Sequence, residues 1–180
     1  MAVEKQNKNG RLKLKQDLAK GSFETLYILY GEEAYLREYY LRQLRKKVVD
    51  ETFADFNLIE LDGKTLTLES LTEAVDSYPA MSERKLIIVT DFNIYAPPAS
   101  FGDQLIDLLS DLPDYVCLVF YFDILEAKPD KRTKMYKLLE KKACTAEFAR
   151  LEEKELIERL ERRARELNCI ISDEDAAYMI

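Results

Sequence analysis

The 180-residue chain contains no histidine. This absence excludes Ser-His-Asp and Cys-His catalysis, proton transfer through imidazole, and histidine-ligated metal sites. Cysteine is also scarce, since only Cys117, Cys144 and Cys169 are present. Their odd number argues against a disulfide framework, and their wide spacing is unlike that of a metal site. We expect Cys117, inside an apolar run, and Cys169, near a helix end, to be small buried hydrophobes.

Long hydrophobic runs are missing as well. No apolar run approaches the ~18 residues that suggest a membrane-spanning helix, and the polar, mixed-charge residues 1–15 are unlike a signal peptide. Such a chain is expected to be cytoplasmic and to have no membrane partner. The apolar fraction of 47% is ample for a packed core, and the length suits one ordinary domain plus part of another.

Positive charge is in deficit, because the formal net charge is −7. A chain of this charge is not expected to bind nucleic acid on its own through non-specific phosphate attraction. Residues 128–142 are an exception, with seven basic residues against two acidic ones. A basic face there would suit phosphate or an acidic partner protein, although a solvated helix face is the simpler interpretation.

A phosphate-binding loop is missing where the pattern of the chain calls for one. The apolar run Leu26–Tyr30 predicts a buried strand, which stops at Gly31 and is followed by a helical pattern. P-loop ATPases place several glycines, a lysine and a Ser or Thr at such a junction. Here Gly31 is followed by Glu32 and Glu33, whose carboxylates would repel a triphosphate. We therefore expect a degenerate site at these three residues, without a nucleotide cofactor, metal or catalytic residue.

The remaining pattern alternates strands with helices. Apolar runs predict strands near residues 25–30, 56–61, 85–90, 115–122 and 146–149, and 3.6-residue periodicity predicts helices near 11–20, 34–49, 68–76, 100–111 and 133–142. This alternation implies βαβ units and an α/β fold with a parallel sheet.

A change of pattern follows residue 150. Residues 151–167 form a charged amphipathic helix, and Ser172 is a plausible N-cap of the next helix, with Asp175 at the capping-box position. The chain ends eight residues after that cap, so the last helix has nothing after it to pack against. We expect an α/β domain over residues 1–150 and the incomplete start of a helical domain over 151–180.

Acidic residues also follow two of the predicted strands. Asp91 has roughly the place of a Walker B acid, which holds magnesium in an ATPase of this class, but an Asp at a strand end is more often a turn residue or cap. Asp123, together with Glu32 and Glu33, would place carboxylates at the ligand-binding edge of the sheet. No lysine or glycine-rich loop accompanies them, so this signal is weak.

The segment before the third predicted strand is the most promising functional region. Pro79 ends the preceding helix and leaves Ala80 and Met81 in a connection, where an apolar side chain is harder to bury. Methionine is flexible and polarizable, which suits an adaptable contact with a partner's hydrophobic pocket. The alternative, in which Met81 caps the core from above, is equally compatible with the sequence.

Three stretches of the chain resemble one protein family. They run from Lys13 to Leu36, from Tyr78 to Val89 and from Ala127 to Glu140, and their most telling pieces are Tyr27-Ile-Leu-Tyr-Gly-Glu-Glu33 and Asp130-Lys-Arg-Thr-Lys-Met-Tyr-Lys-Leu-Leu139. Their order and spacing are similar to those of the delta subunit of bacterial DNA polymerase III, a clamp-loader subunit. The resemblance implies an AAA+ (P-loop NTPase-like) fold without a working nucleotide site, followed by the start of a helical lid domain. It also implies that the collar domain, which assembles the loader, is absent.

The same resemblance implies a function without catalysis. Members of the family belong to the DNA-directed DNA polymerase holoenzyme, a nucleotidyltransferase, as accessory subunits. They bind the beta sliding clamp and open its ring, and they assemble with gamma/tau and delta prime subunits. They reach DNA only through the assembled complex. The clamp-binding positions correspond to Ala80 and Met81, flanked by Tyr78, Pro79 and Ser82. The family typically has two bulky residues where this chain has Ala80 and Met81, and Tyr78 is a candidate to compensate.

Two other functions remain open from the residues alone. A doubly wound α/β enzyme domain would bind a nucleotide or phosphate at the carboxyl ends of the strands. A plain scaffold domain would serve an unknown partner.

Overall fold

The computed structural model describes the backbone of residues 2–150 and 153–179, and the side chains of residues 10–150, 155–158 and 160–179. The helices in these ranges are α1 (Ala2–Lys20), α2 (Ala34–Val48), α3 (Ala54–Asn57), α4 (Leu68–Asp76), α5 (Gln104–Ser110), α6 (Lys134–Lys142), α7 (Glu153–Glu166) and α8 (Asp173–Tyr178), and Glu51–Phe53 form a 3-10 turn before α3. The strands are β1 (Leu26–Tyr30), β2 (Leu58–Asp62), β3 (Lys85–Thr90), β4 (Val116–Tyr121) and β5 (Cys144–Glu147).

The five strands form one parallel sheet in the order β2-β3-β4-β1-β5. Strand β1 lies between β4 and β5, so that Ile28 pairs with Phe120 on one side and with Thr145 on the other. All residues of β1 and β4 are buried, as expected for the central strands of a parallel sheet. The α/β architecture predicted from the alternation of strands and helices is confirmed.

Helix α1 packs along β5, the edge strand of the sheet. The two elements approach closely at Gly10, where an added Cβ would lie 1.8 Å from the carbonyl oxygen of Thr145. The helix therefore covers an edge that would otherwise be available for pairing with another chain. The sequence predicts this helix only from residue 11, because the preceding residues are polar, whereas the structure extends it to Ala2.

Some element boundaries differ from the sequence prediction because pairing partners distant in the chain decide them. The predicted strand 56–61 starts later, at Leu58, because the preceding residues form α3. The predicted strand 146–149 lies earlier, since pairing with β1 places Cys144 opposite Tyr27. Helix α5 begins at Gln104 rather than near residue 100.

The chain divides into two compact units, residues 1–148 and 149–180. In the second unit Ser172 caps α8, since its hydroxyl oxygen accepts a hydrogen bond from the backbone N–H of Asp175, as predicted. Helix α7 ends at Glu166, and Asn168, two residues later, adopts the left-handed conformation (φ 57°) typical of the residue that follows a helix C-terminus. Cys169 follows and is exposed, so the prediction of a buried thiol at this position is wrong. Residues 151 and 152, where this helix was predicted to begin, lie outside the described residues.

The carboxyl ends of the parallel strands share one edge of the sheet, and their amino ends share the other. Gly31, Asp91 and Asp123 follow β1, β3 and β4 at the carboxyl edge. The segment that precedes β3 lies at the amino edge. The two regions singled out in the sequence therefore belong to opposite edges. None of the described helices is long and apolar enough to cross a membrane.

Candidate functional site

The connection of residues 77–84 joins α4 to β3 and contains all five predicted binding residues. Helix α4 ends at Asp76, its C-cap Ser77 has an extended backbone (ψ 134°), and Pro79 prevents the helix from continuing. At the other end of the connection, Arg84 donates a hydrogen bond of 2.6 Å to the carbonyl oxygen of Phe23. Both ends of this connection are therefore fixed to the body of the first unit.

Lys85, the first residue of β3, caps the C-terminal end of α4 with its side chain. Its side chain is 1% exposed, and its ammonium donates hydrogen bonds to the carbonyl oxygens of Ala74, Val75 and Ser77. A cation at this position satisfies the last carbonyl groups of the helix and complements its dipole. Burial lowers the pKa of Lys85 to about 8, and the carboxylate of Asp76 opposes this shift.

Asn57 holds the middle of the connection. Its side chain is fully buried, its Nδ2 donates to the carbonyl oxygen of Ala80 at 2.8 Å, and its Oδ1 accepts from the N–H of Ala80 at 2.7 Å. The amide thereby satisfies both backbone groups of one loop residue, as a neighbouring strand would. Sequence reasoning missed Asn57, although a lone asparagine just before an apolar run was a usable signal.

Met81 follows this anchored residue and projects into solvent. Its side chain is 85% exposed, so the alternative in which it caps the core is wrong. Its backbone has a φ of 51°, which costs a residue with a side chain about 1–2 kcal/mol. Strained backbone of this kind persists where the surroundings enforce it, and it is frequent at binding sites.

Tyr78 is the second exposed apolar group of the connection, with 82% of its side chain accessible. Its ring packs against that of Tyr115 at 5.0 Å between centroids, which limits its freedom. Pro79, Ala80 and Ser82 are half-buried, so the structure presents Tyr78 and Met81 as the accessible pair.

Phe56 was not predicted to take part in this site, although the structure exposes 69% of its side chain. It directly precedes Asn57, and the bonds from Asn57 to Ala80 attach the α3 turn to the connection. The sequence interpretation placed Phe56 at the start of a strand, in which successive side chains alternate between the two faces of the sheet. The helical turn 54–57 removes it from the sheet and leaves it on the surface.

At the opposite edge of the sheet, the degenerate phosphate-loop position is closed by backbone contacts. Gly31 has a φ of 123°, and an added Cβ would lie 2.3 Å from the carbonyl oxygen of Phe148. The N–H of Glu33 donates to that same oxygen at 2.9 Å, and Phe148 in turn donates to Tyr30 at 2.7 Å. In a phosphate loop such N–H groups point at the ligand. Here the N–H of Glu33 is bonded instead to Phe148, in the chain that follows β5.

Arg37 links two strand ends at this closed junction. The side chain is 5% exposed, and its guanidinium donates to the carbonyl oxygen of Gly31 and, at 2.9 Å, to that of Asp123. It also lies 3.5 Å from the Asp123 carboxylate and 5.4 Å from the ring centre of Tyr121. The positive charge of Arg37 is thus engaged by Gly31 and Asp123 of the same chain. Sequence reasoning missed it, although an arginine on the apolar face of α2 was a visible signal.

Asp91 is a turn residue, as the simpler sequence interpretation predicts. Its carboxylate accepts hydrogen bonds from the N–H groups of Asp123, Ile124 and Leu125 at 2.8–3.0 Å. These three bonds all go to Oδ1 and hold the loop after β4, which gives the carboxylate a structural role. Among the described residues, no group of three His, Cys, Asp or Glu side chains is placed to hold a metal.

Comparison with known proteins identifies the family. The family model described as "DNA polymerase III, delta subunit" matches residues 27–149. DNA polymerase III subunit delta of Bacillus subtilis (strain 168) is 30% identical over 145 residues, which cover 78% of this chain and 42% of that protein. The solved structure of the Bacillus subtilis DNA clamp loader delta protein is 26% identical, with a TM-score of 0.75 over 93% of this chain and 50% of that one.

This chain therefore spans half or less of the length of these two relatives. The similarity to the clamp loader delta protein confirms the predicted fold class, a parallel sheet flanked by helices. It also confirms the family resemblance noted in the sequence. The chain belongs to the DNA polymerase III delta subunit family.

Proposed function

We propose that this chain is the part of a clamp-loader delta subunit that binds the beta sliding clamp and opens its ring. The observation that carries the proposal is Met81, 85% exposed in a strained conformation on a connection whose two ends and middle are all fixed. An apolar group held in this way loses little conformational freedom on binding, and such preorganisation favours affinity.

The side chains that would enter the clamp are Met81 and Tyr78. Complete burial of a methionine side chain contributes about 1.5–3 kcal/mol, which is roughly one to two powers of ten in affinity. Ala80 would contribute by anchoring the loop, since both of its backbone polar groups are bonded to Asn57. Tyr78 adds the bulk that Ala80 lacks.

Ring opening requires no bond chemistry in this mechanism. The subunit binds the opened clamp more tightly than the closed one, and this difference in affinity shifts the equilibrium toward the open form. The proposal accordingly assigns no intrinsic catalytic activity to the chain. Gamma/tau and delta prime subunits would be its partners in a cytoplasmic loader, and DNA would reach it through that complex.

Binding to purified beta clamp tests the proposal directly. We expect the wild-type chain to co-migrate with the clamp, and Met81→Asp to abolish co-migration because it places a carboxylate in an apolar pocket. Ile124→Asp is a matched control, since Ile124 is also 85% exposed but follows β4 at the opposite edge of the sheet.

The outcomes separate the site from the function. Absence of binding by the wild-type chain would refute the function. Equal binding by wild type and Met81→Asp would refute the site and leave the family intact. Equal loss in both variants would mean that any added surface charge weakens the complex.

A further inference from the structure

Two segments of positive net charge in this acidic chain lie against the same edge strand of the sheet. Residues 128–142 carry seven basic and two acidic side chains, and residues 10–20 carry four basic and one acidic. These segments hold a formal charge of +8 in a chain of −7, so the remainder carries −15. Helix α1 packs on β5, and α6 leads directly into β5.

The lysines of α6 form one exposed face. Lys134, Lys137 and Lys141 recur at three- and four-residue spacing, which places them on the same side of the helix, and all three are exposed. None of the three makes an ion pair or hydrogen bond through its ammonium with any described residue. By contrast, Arg132 is held by Asp130 with two hydrogen bonds of 2.9–3.0 Å.

A groove of about 370 Å³ separates this helix from α1. Its cationic lining is Lys13 from α1, Lys131 before α6, and Lys141 and Lys142 at the end of α6. Two carboxylates also line it, Glu140 on α6 and Glu24, which is paired with Lys13 at 2.6 Å. The groove thus continues the lysine face toward the second basic segment, with a surplus of positive charge.

We propose that the lysine face of α6, together with the adjoining groove, binds the phosphate backbone of a nucleic acid. Protein–protein interfaces are depleted in lysine and enriched in aromatic residues and arginine, whereas phosphate contacts are made by lysine and arginine. The exposed side of α6 presents lysines, whereas Met135 and Leu139 are buried and Tyr136 and Leu138 are half-buried against the core. This composition favours a polyphosphate ligand over an acidic protein.

The spacing is compatible with such a ligand. Lys134 and Lys141 are seven residues apart, which corresponds to about 10 Å along the helix. A strand of duplex DNA advances about 3.4 Å per phosphate along its axis, so the face can reach two or three phosphates. This site is separate from residues 77–84, and the inference does not depend on clamp binding.

Salt-dependent oligonucleotide binding tests the site. We would measure the fluorescence anisotropy of labelled duplex and single-stranded oligonucleotides with the 180-residue chain at several salt concentrations, beginning at low salt. The triple variant Lys134→Gln/Lys137→Gln/Lys141→Gln should bind at least tenfold more weakly. The slope of log K against log salt should fall by about 2–3, since each phosphate contact contributes about 0.9 on duplex and about 0.7 on single strands.

A second triple variant controls for net charge. Lys46, Lys47 and Lys64 are also exposed and lie outside both basic segments, so changing them to glutamine removes the same charge. We expect this control to bind oligonucleotides like wild type, and both variants to retain the melting temperature of the wild type. Equal weakening in the control, or no binding by wild type at low salt, would overturn the inference. So would lysine-dependent binding of polyglutamate without binding of oligonucleotides, which would identify an acidic protein surface as the ligand.

Discussion

Asn57 and Ala80 exchange a reciprocal pair of hydrogen bonds, at 2.8 Å and 2.7 Å, although they belong to different connections of the fold. The side-chain amide is fully buried and acts on the loop as the backbone of a neighbouring strand would. Because Met81 is the next residue, this pair fixes the base from which its exposed side chain projects.

Asn57→Ala should weaken clamp binding about tenfold, because a lost pair of buried hydrogen bonds costs about 1–3 kcal/mol and frees the loop. Asn93→Ala is a suitable control, since that amide also accepts a bond from a loop N–H, that of Ala96. In a double-mutant cycle with Met81→Ala, the two losses should be non-additive if Asn57 acts by positioning Met81. Additive losses would indicate that Asn57 only stabilises the fold.

Gly31→Ala should destabilise the fold by more than about 3 kcal/mol, a size reserved for severe steric conflicts. The added Cβ would meet backbone atoms of Phe148 at 2.3–2.6 Å, and backbone cannot move aside as a side chain can. Gly21→Ala is the matched control, since Gly21 also has a positive φ but no atom within 4 Å of the added Cβ. It should cost only about 1–2 kcal/mol. Urea denaturation measures both, and similar costs would contradict the proposed contact.

Titration of ATP with magnesium should give no binding tighter than millimolar. The N–H of Glu33 is bonded to Phe148, and the Arg37 guanidinium is bonded to Gly31 and Asp123. Arg37→Ala should not create an ATP site, because the backbone contact of Gly31 remains. Calorimetry on both proteins checks this expectation. Micromolar binding by the wild-type chain would revive the nucleotide-binding alternative.

The stability of the chain should depend on pH through Lys85. Its pKa is about 8 in the folded state, below the ordinary value of 10.5. Between these values the unfolded chain holds a proton that the folded chain lacks, so the contribution of Lys85 to stability rises with pH, by up to about 1.4 kcal/mol per unit. Urea denaturation measures the free energy of unfolding of wild type and Lys85→Met at pH 7 and at about pH 9.5. The stability of wild type relative to the variant should be greater at the higher pH. A constant difference would refute the shifted pKa.

Thiol labelling should distinguish Cys169 from the other two cysteines. Cys169 is exposed, whereas burial raises the pKa of Cys117 and of Cys144 to about 12. Because the thiolate is the reactive form, a disulfide-forming reagent should modify one thiol quickly in the native chain and all three after unfolding. Cys169→Ser should abolish the fast phase, and rapid labelling of Cys117 would contradict its burial.

The sequence alone determined the features that depend on neighbouring residues. Apolar runs located the strands, Gly31 marked the end of β1, and the cap of α8 follows from Ser172, whose side chain bonds the residue three positions on. These signals are local, because a hydrogen bond or a periodic face within one element needs no distant partner. The absence of phosphate-loop chemistry was visible for the same reason.

Only the tertiary structure decided the features that join residues far apart in the chain. Asn57 meets Ala80, Arg37 reaches Asp123, and β5 takes its register from β1, none of which any local pattern encodes. The exposure of Met81 was likewise undecided in the sequence, which allowed a core cap as readily as a surface contact. Tertiary packing decides it. The amide of Asn57 and the ammonium of Lys85 bond backbone groups on the two sides of the connection, so the connection is held without burial of the Met81 side chain.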